Sequence, residues 1–414
     1  MTSCSRQYRL VFVVNSPIAL AYLQGQPQYF QGKGFDVTIL CPRRREGEWE
    51  VDLPEDISNV VIPMERNIAP LRDLLSLWRI WRAMRAIRPV VTNVGTPKAA
   101  LLGGIAAWLN RVPCRVYTLH GLRFETTKGL KRQLLICAER LACQFAHRVL
   151  CVSRSVREKA ITCGLTNPEK TVVIGSGSCN GVDTSRFAPN PKLIQRAAAL
   201  RRLFRIPEKA TVILFVGRLT RDKGIPELVE AFVQLDKQLP NLRLLLVGCF
   251  EAEDPLPAET RRQLEGHSHI IFAGAVRDTP SYYAAADIVV LPSHREGLPT
   301  VVLEAQAAGK PVVGAKVTGI VDLVTDGETG LLFPVGDAAL LGKTLARLVN
   351  DDALVRKLEA AGREKVERDF QQQKIWDALY GAYMEVLEKN KSRLVLTKTR
   401  NDKGRSFIVR SSEH

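Results

Sequence analysis

The stretch Leu291-Pro-Ser-His-Arg-Glu-Gly-Leu-Pro-Thr-Val-Val-Leu-Glu-Ala-Gln-Ala-Ala-Gly309 decides how the rest of the chain is read. It follows the apolar run Asp287-Ile-Val-Val-Leu291, which has the length and β-branched content of a parallel strand buried on both faces. Pro299, expected in the first turn, marks the start of a helix. The order is therefore strand, loop, helix N-terminus. The first N–H groups of such a helix lack partners within it and carry the positive end of its dipole, so the loop is a natural seat for phosphate. Glu296 and Glu304 flank that seat. A carboxylate is a poor neighbour for phosphate, so the expected partners of both are hydroxyl groups on whatever the phosphate joins. That combination points to a sugar nucleotide.

Outward from this stretch, short β-rich runs alternate with helical patterns. Toward the N-terminus the expected strands are Arg9–Val14, Val37–Leu40, Val60–Pro63, Val90–Val94, Arg115–Leu119, Val149–Val152 and Val172–Ile174. Around the opening stretch they are Thr211–Val216, Leu242–Val247, Ile270–Phe272, Ile288–Leu291, Val312–Gly314 and Gly330–Pro334. Alternation of this kind implies α/β architecture with parallel, doubly wound sheets, which bind ligands at the carboxyl ends of their strands. The pattern breaks after Asn180-Gly-Val-Asp183, where Pro189, Asn190 and Pro191 suggest a linker. With 414 residues, enough for two cores, the expected division is 1–190, 191–372, a helix over 373–390 that crosses back to the first domain, and a basic, mobile tail over 391–414.

Charge separates the halves. Residues 1–200 carry 28 Lys and Arg against 14 Asp and Glu, which accounts for nearly all of the net +16. A basic first half suggests a phosphate-bearing partner, either a nucleic acid or an anionic membrane surface. Within it, Leu71–Arg88 is an expected amphipathic helix that mixes Arg72, Arg79, Arg82, Arg85 and Arg88 with Leu74, Leu75, Trp78 and Trp81. Such a helix can dock on an anionic membrane, or pack on the sheet with its basic face in water, and the two are compatible. No apolar run reaches the ~20 residues needed to cross a bilayer, and Met1-Thr-Ser-Cys-Ser-Arg leads into a strand without a signal-peptide core, so a cytoplasmic location is expected. Nine cysteines without a C-x-x-C pair read as reduced, buried small hydrophobes. The chain has no recognisable nucleic-acid module, and nucleic acid is not expected as a partner.

A second constellation lies at the end of Thr211–Val216. Gly217-Arg218 and Lys223-Gly224 place two cations between glycine turns, able to grip a pyrophosphate, Arg218 through its planar fork and Lys223 as a point charge. A surface loop before an ordinary helix is the plainer alternative. Neither a D-x-D pair in a suitable loop nor a histidine cluster suggests a metal.

Together, Gly217-Arg218 with Lys223-Gly224, Glu296 with Glu304, Gly309-Lys-Pro-Val-Val-Gly314 and Asp326-Gly-Glu-Thr-Gly-Leu-Leu332 resemble the retaining family 4 glycosyltransferases of the GT-B fold. In the first half, Thr96-Pro-Lys-Ala99, Thr118-Leu-His-Gly121, Val152-Ser-Arg-Ser155 and Gly175-Ser-Gly-Ser-Cys-Asn180 are similar to the subgroup that builds capsular and extracellular polysaccharide on lipid carriers. The resemblance spans nearly the whole chain. It implies two Rossmann-like domains facing each other across a cleft, the first for the acceptor and the second for the nucleotide-sugar donor.

The resemblance also implies roles. Glu304 would accept hydrogen bonds from the ribose, and Arg218 and Lys223, beside Gly217, would hold the diphosphate and stabilise the departing nucleotide. Backbone groups of Gly297, Leu298, Pro299, Thr300 and Val301 would line the phosphates. Glu296 would face the donor sugar, and His120 would approach that sugar from the first domain. The implied reaction is metal-independent transfer, with retention, from a UDP-sugar to a polyprenyl-diphosphate-linked acceptor. It would take place at the inner face of the cytoplasmic membrane, with the donor as co-substrate and no cofactor. Two features depart from the family. Asn15-Ser-Pro17 replaces the glycine-rich turn usual after the first strand, and Thr92-Asn-Val-Gly95 lacks the histidine common upstream of the Thr-Pro-Lys motif. Two other functions fit parts of the sequence: a non-hydrolysing UDP-sugar epimerase, and a basic membrane- or nucleic-acid-binding scaffold.

Overall fold

The computed structural model describes residues 8–43, 56–65, 69–178, 180–251 and 253–402, with side chains to 390. The first sheet contains β1 (Tyr8–Val13), β2 (Phe35–Cys41), β3 (Ser58–Val61), β4 (Val91–Gly95), β5 (Cys114–Leu119), β6 (Arg148–Cys151) and β7 (Thr171–Val173). Their spatial order is β3-β2-β1-β4-β5-β6-β7. The second contains β8 (Thr211–Val216), β9 (Leu242–Val247), β10 (Ile270–Gly274), β11 (Ile288–Leu291), β12 (Val312–Ala315) and β13 (Leu331–Phe333), in the order β10-β9-β8-β11-β12-β13. The strands pair in parallel, as the alternating pattern requires, and each expected strand is found within a residue or two of its expected bounds.

The central strands are uninterrupted apolar runs because helices cover both of their faces. Val212, Ile213, Leu214 and Phe215 of β8 are wholly buried, as are Leu244, Leu245 and Leu246 of β9. Burial of each such side chain contributes about 1.5–3 kcal/mol. Helix starts follow local chemistry: Asn190 accepts from the Leu193 N–H at 3.0 Å ahead of Pro191, so that helix runs Pro191–Leu203 and begins two residues before the expected Leu193.

Each sheet has one place where the chain's winding reverses, between β1 and β4 in the first and between β8 and β11 in the second. The loops leaving these strand pairs diverge and open a crevice. In the second sheet those loops hold Gly217–Gly224 and Pro292–Pro299. In the first they hold Asn15–Pro17 and Thr96–Lys98, where the Asn15 N–H donates to Thr96 Oγ1 at 3.3 Å.

The chain forms two compact units, one built from the chain up to Thr118, Leu141–Val149 and the chain from Asp377, the other from Leu119–Arg140 and Leu150–Trp376. The long helix Gln372–Asp402 contributes to both. In the first unit its Tyr383 accepts from Asn93 Nδ2 at 2.6 Å and stacks on Phe30. In the second its Trp376 Nε1–H donates to Asn180 Oδ1 at 2.8 Å. The main chain of the tail expected from residue 391 is helical as far as Asp402, and residues 403–414 lie outside the described residues.

The structure decides which face of one helix is buried, and it corrects one expectation, that the cysteines are buried. Helix Pro70–Ile87 does not bury its leucines: Ser76, Ile80 and Met84 face inward, while Leu71, Leu74, Leu75 and Trp78 are exposed. Serine is tolerated inside because its hydroxyl is satisfied by the Pro63 and Arg72 carbonyls, at 2.6 and 2.8 Å. Of the cysteines, Cys41, Cys114, Cys143 and Cys151 are buried, but Cys137 and Cys249 are exposed because they lie on a helix's outer face and in a strand-end loop. Cys4 and Cys179 lie outside the described residues. Among the described residues no helix is long and apolar enough to cross a membrane.

Candidate functional site

The reversal between β8 and β11 brings the two expected constellations together. Lys223 lies at the end of the loop after β8 and Glu296 in the loop after β11, and Lys223 Nζ sits 2.5 Å from Glu296 Oε1 with both side chains largely buried. Gly224 follows with φ 71°, packed so closely on Pro292 that a Cβ would overlap its carbonyl oxygen. Only glycine allows both the left-handed turn and this contact, which hold the two loops side by side.

Helix Thr300–Ala307 starts one residue later than expected. Pro299 is its N-cap, in an extended conformation, rather than a member of the first turn. Proline has no N–H to donate, so among Leu298, Pro299, Thr300 and Val301 the candidate phosphate donors are the N–H groups of the other three. The Val302 N–H already bonds to the Pro299 carbonyl at 3.1 Å.

Glu304 lies one turn into that helix, where its Oε2 accepts from the Tyr283 hydroxyl at 2.7 Å. Burial pushes its carboxyl up to about 7, against the opposing effects of that hydrogen bond and of Arg186. Glu304 therefore does not share a contact with Lys223 as Glu296 does; the two glutamates occupy different surroundings eight residues apart. No motif in the sequence marks Tyr283, which belongs to the short helix Pro280–Ala285 ahead of β11.

Arg218 forms an ion pair with Glu251, in the loop after β9. Neighbouring polar groups alternate in sign. Arg295 Nη2 meets Asp222 Oδ2 at 2.8 Å, Arg221 Nε meets Asp254 Oδ1 at 3.4 Å, and the Asp222 N–H donates to Asp254 Oδ2 at 2.8 Å. His294 Nε2 lies 2.8 Å from Glu227 Oε1, and this hydrogen bond raises the imidazole above its ordinary value. None of these carboxylates stood out in the sequence, although Glu251 and Asp254, like Lys223, follow a strand that ends in glycine.

His120 follows β5 in the same compact unit as the donor-side loops. Its carbonyl lies against Gly297, where a Cβ would overlap that oxygen, and a Cβ on Gly121 would stand 3.3 Å from the Gly297 Cα. The Gly297 carbonyl in turn lies against Gly319. Three chain segments thus meet at glycines, and the meeting fixes the backbone of His120 next to that of Glu296. Burial pushes the His120 imidazole down to about 4, which makes it neutral at physiological pH. Around this junction, Thr318 Oγ1–H donates to Glu125 Oε1 at 2.9 Å, Arg295 Nε–H to Thr126 Oγ1 at 3.0 Å, and the Gly319 N–H to Ser155 Oγ at 2.8 Å. Among the described residues no group of three or more His, Cys, Asp or Glu could hold a metal ion.

Comparison with known proteins matches residues 198–365 to the family "Glycosyl transferases group 1" and residues 21–177 to "Glycosyl transferase 4-like domain". The capsular polysaccharide biosynthesis glycosyltransferase CapM of Staphylococcus aureus is 33% identical over 389 residues, which span 94% of this chain and 100% of CapM. The UDP-Gal:alpha-D-GlcNAc-diphosphoundecaprenol alpha-1,3-galactosyltransferase of Escherichia coli is 27% identical over 85% of this chain and 90% of its own length. Among solved structures, Anabaena HepE in complex with UDP and glucose superposes with a TM-score of 0.76 at 21% identity, covering 92% of this chain and 100% of HepE. The likeness to HepE shows a shared fold, GT-B.

Proposed function

The chain belongs to the group 1 glycosyltransferases of the GT-B fold, and on that premise we propose that it transfers a sugar from a UDP-linked donor to a polyprenyl-diphosphate-linked glycan, with retention, in the assembly of a cell-surface polysaccharide. The observation that carries this reading is the Lys223–Glu296 contact at the reversal of the second sheet, where a cation suited to a diphosphate stands beside a carboxylate suited to sugar hydroxyls. The capsular and diphosphoundecaprenol relatives support the acceptor class, and the UDP-bound neighbour supports the donor.

In this reading the bond between the anomeric carbon and the diphosphate oxygen breaks, and the electron pair leaves with the nucleotide. Arg218, Lys223 and the N–H groups of Leu298, Thr300 and Val301 take up the charge that develops on the leaving group. Glu304, ionised, accepts from the ribose hydroxyls. Glu296 holds the donor sugar, and neutral His120 hydrogen-bonds to it without adding a like charge beside the oxocarbenium-like carbon. The acceptor oxygen then bonds to the anomeric carbon on the face the nucleotide leaves, and its hydroxyl proton passes to the departing diphosphate oxygen on that face. The residues supply this charge themselves, so neither metal nor cofactor is required. The acceptor's lipid carrier implies work at the inner face of the cytoplasmic membrane, and the exposed Leu71, Leu74, Leu75 and Trp78 beside Arg82 and Arg85 suit an anionic bilayer.

The test is UDP release by purified protein given UDP-sugars and a lipid-linked sugar. Lys223→Ala and Glu304→Ala are each expected to lower the rate at least ~100-fold. Full activity in either variant would sink the site assignment.

A further inference from the structure

The loop after β9 runs alongside the loop after β8. The Leu219 N–H donates to the Cys249 carbonyl at 2.8 Å, and Gly248 approaches Gly217 so closely that a Cβ would overlap its carbonyl oxygen. This contact puts the carboxylate of Glu251 on the guanidinium of Arg218. Across the two loops and the Arg295–Glu296 segment, Arg218, Arg221, Lys223 and Arg295 stand against Glu251, Asp254, Glu296 and Asp222. Four cations meet four carboxylates, so the paired charges cancel, and exposed Glu253 of the same loop adds one further negative charge. A diphosphate entering here cannot rely on an excess of positive charge; one internal anion must yield its cation.

Of these cations only Arg218 and Lys223 are read as gripping the phosphates, so the choice falls between their partners, Glu251 and Glu296. Asp254 also accepts from the Asp222 backbone, and the Asp222 carbonyl also accepts from the His294 N–H at 2.9 Å, so both are built into the loops. Glu296 has its own role toward the sugar. Glu251 meets a single terminal nitrogen of Arg218, which leaves the rest of the guanidinium fork available, and Arg218 is 38% exposed where the other phosphate-gripping cation, Lys223, is 17% exposed.

We propose that Glu251 is an internal counter-ion that competes with the donor's diphosphate for Arg218 and thereby sets how tightly the nucleotide is held. The proposal rests on the reading of Arg218 as a diphosphate ligand. A diphosphate offers more charge and more acceptor oxygens than one carboxylate, so it wins the guanidinium, but it leaves Glu251, largely buried, beside a second anion. That cost weakens the hold on the donor and equally on the nucleotide product, and so favours turnover over retention of the product.

Calorimetric titration with UDP tests this. Glu251→Gln keeps the side chain's shape and removes its charge, and it is expected to tighten UDP binding roughly fivefold. Glu251→Ala is expected to change affinity in the same direction, and Glu253→Gln, which removes a charge from the same loop at an exposed position, to leave it within about twofold. In an Arg218→Ala background the gain from Glu251→Gln should vanish. Unchanged or weaker binding by both Glu251 variants, with unfolding temperatures like the wild type's, would overturn the proposal and make Glu251 a brace for Arg218; an equal gain from Glu253→Gln would reduce it to general charge. Unaltered affinity in Arg218→Ala alone, or a wild-type protein that binds none of UDP, GDP, ADP and dTDP, would instead overturn the donor-site reading beneath it.

Discussion

Gly297 carries two constraints that no other residue type meets. Its Cα lies against the His120 carbonyl on one side, and its own carbonyl lies against Gly319 on the other. Gly297→Ala must part these segments and with them His120 and Glu296. A displacement near 1 Å at reacting groups costs about 100-fold in rate, so UDP release should fall by that order while UDP binding, which the proposed site gives to Arg218 and Lys223, changes far less. Glu304 gives a second prediction at this scale. Its carboxyl is raised to about 7 from an unfolded value of 4.5, so its ionised form is disfavoured in the fold. Its contribution to stability is fully present below 4.5 and is lost as pH rises through 7. Ribose binding asks for the ionised acceptor, so UDP affinity should fall as pH drops from 8 to 6, and Glu304→Gln should flatten that slope. A wild-type affinity that stays constant over this range would exclude the role given to Glu304.

At the scale of the element, helix Pro70–Ile87 presents Leu71, Leu74, Leu75, Trp78, Arg82 and Arg85 on one exposed stripe. Arg82 stands over the Trp78 ring at 5.5 Å and Arg85 over Trp81 at 5.7 Å, so cations rim the apolar half of the stripe. Arg79, which the sequence pattern groups with them, is only partly exposed. Leu130, Leu134 and Leu141 form a comparable exposed stripe on helix Gly129–Phe145. Burying apolar side chains in the headgroup region adds to attraction by anionic lipid. Co-sedimentation with phosphatidylglycerol vesicles should therefore fall several-fold in Leu74→Glu/Trp78→Glu and also in Arg82→Glu/Arg85→Glu. High salt should rescue neither variant, and should release the wild type only in part. Complete release of the wild type by salt would mean that charge alone holds it.

At the scale of the whole molecule, each sheet offers one crevice, and the basic excess lies almost wholly in the first 200 residues. The second sheet's crevice holds Arg218, Lys223 and Glu296, the residues proposed to take the donor. The first sheet's, between Asn15–Pro17 and Thr96–Lys98, is where the acceptor's polar end is expected. All leaving-group stabilisation is given to side chains and backbone, so a chelator such as EDTA should leave the rate unchanged, and a rate abolished by EDTA and restored by a divalent cation would require a different mechanism.

Much of this was legible in the sequence, and for a local reason. A parallel strand buried on both faces is an unbroken apolar run, as in Thr-Val-Ile-Leu-Phe-Val216, and a helix start is an Asn or Ser cap or a proline, as at Asn190-Pro191. These signals depend on neighbours along the chain, so the strands, their parallel direction, the loops bearing Arg218, Lys223 and Glu296 and the helix bearing Glu304 could be found without coordinates. What those side chains touch could not. Lys223 meets Glu296 because β8 lies beside β11, and Arg218 meets Glu251 because β8 also lies beside β9. Strand order is set by how helices pack across the sheet, which no spacing records. The same holds for Tyr283 on Glu304, for the glycines that bring His120 to Glu296, and for the choice of Ser76 over Leu74 as the buried face of its helix. The sequence by itself determined which residues stand at the strand ends; the tertiary structure decided which opposite charges they meet there, because ion pairs form between segments that only the packed sheet makes neighbours.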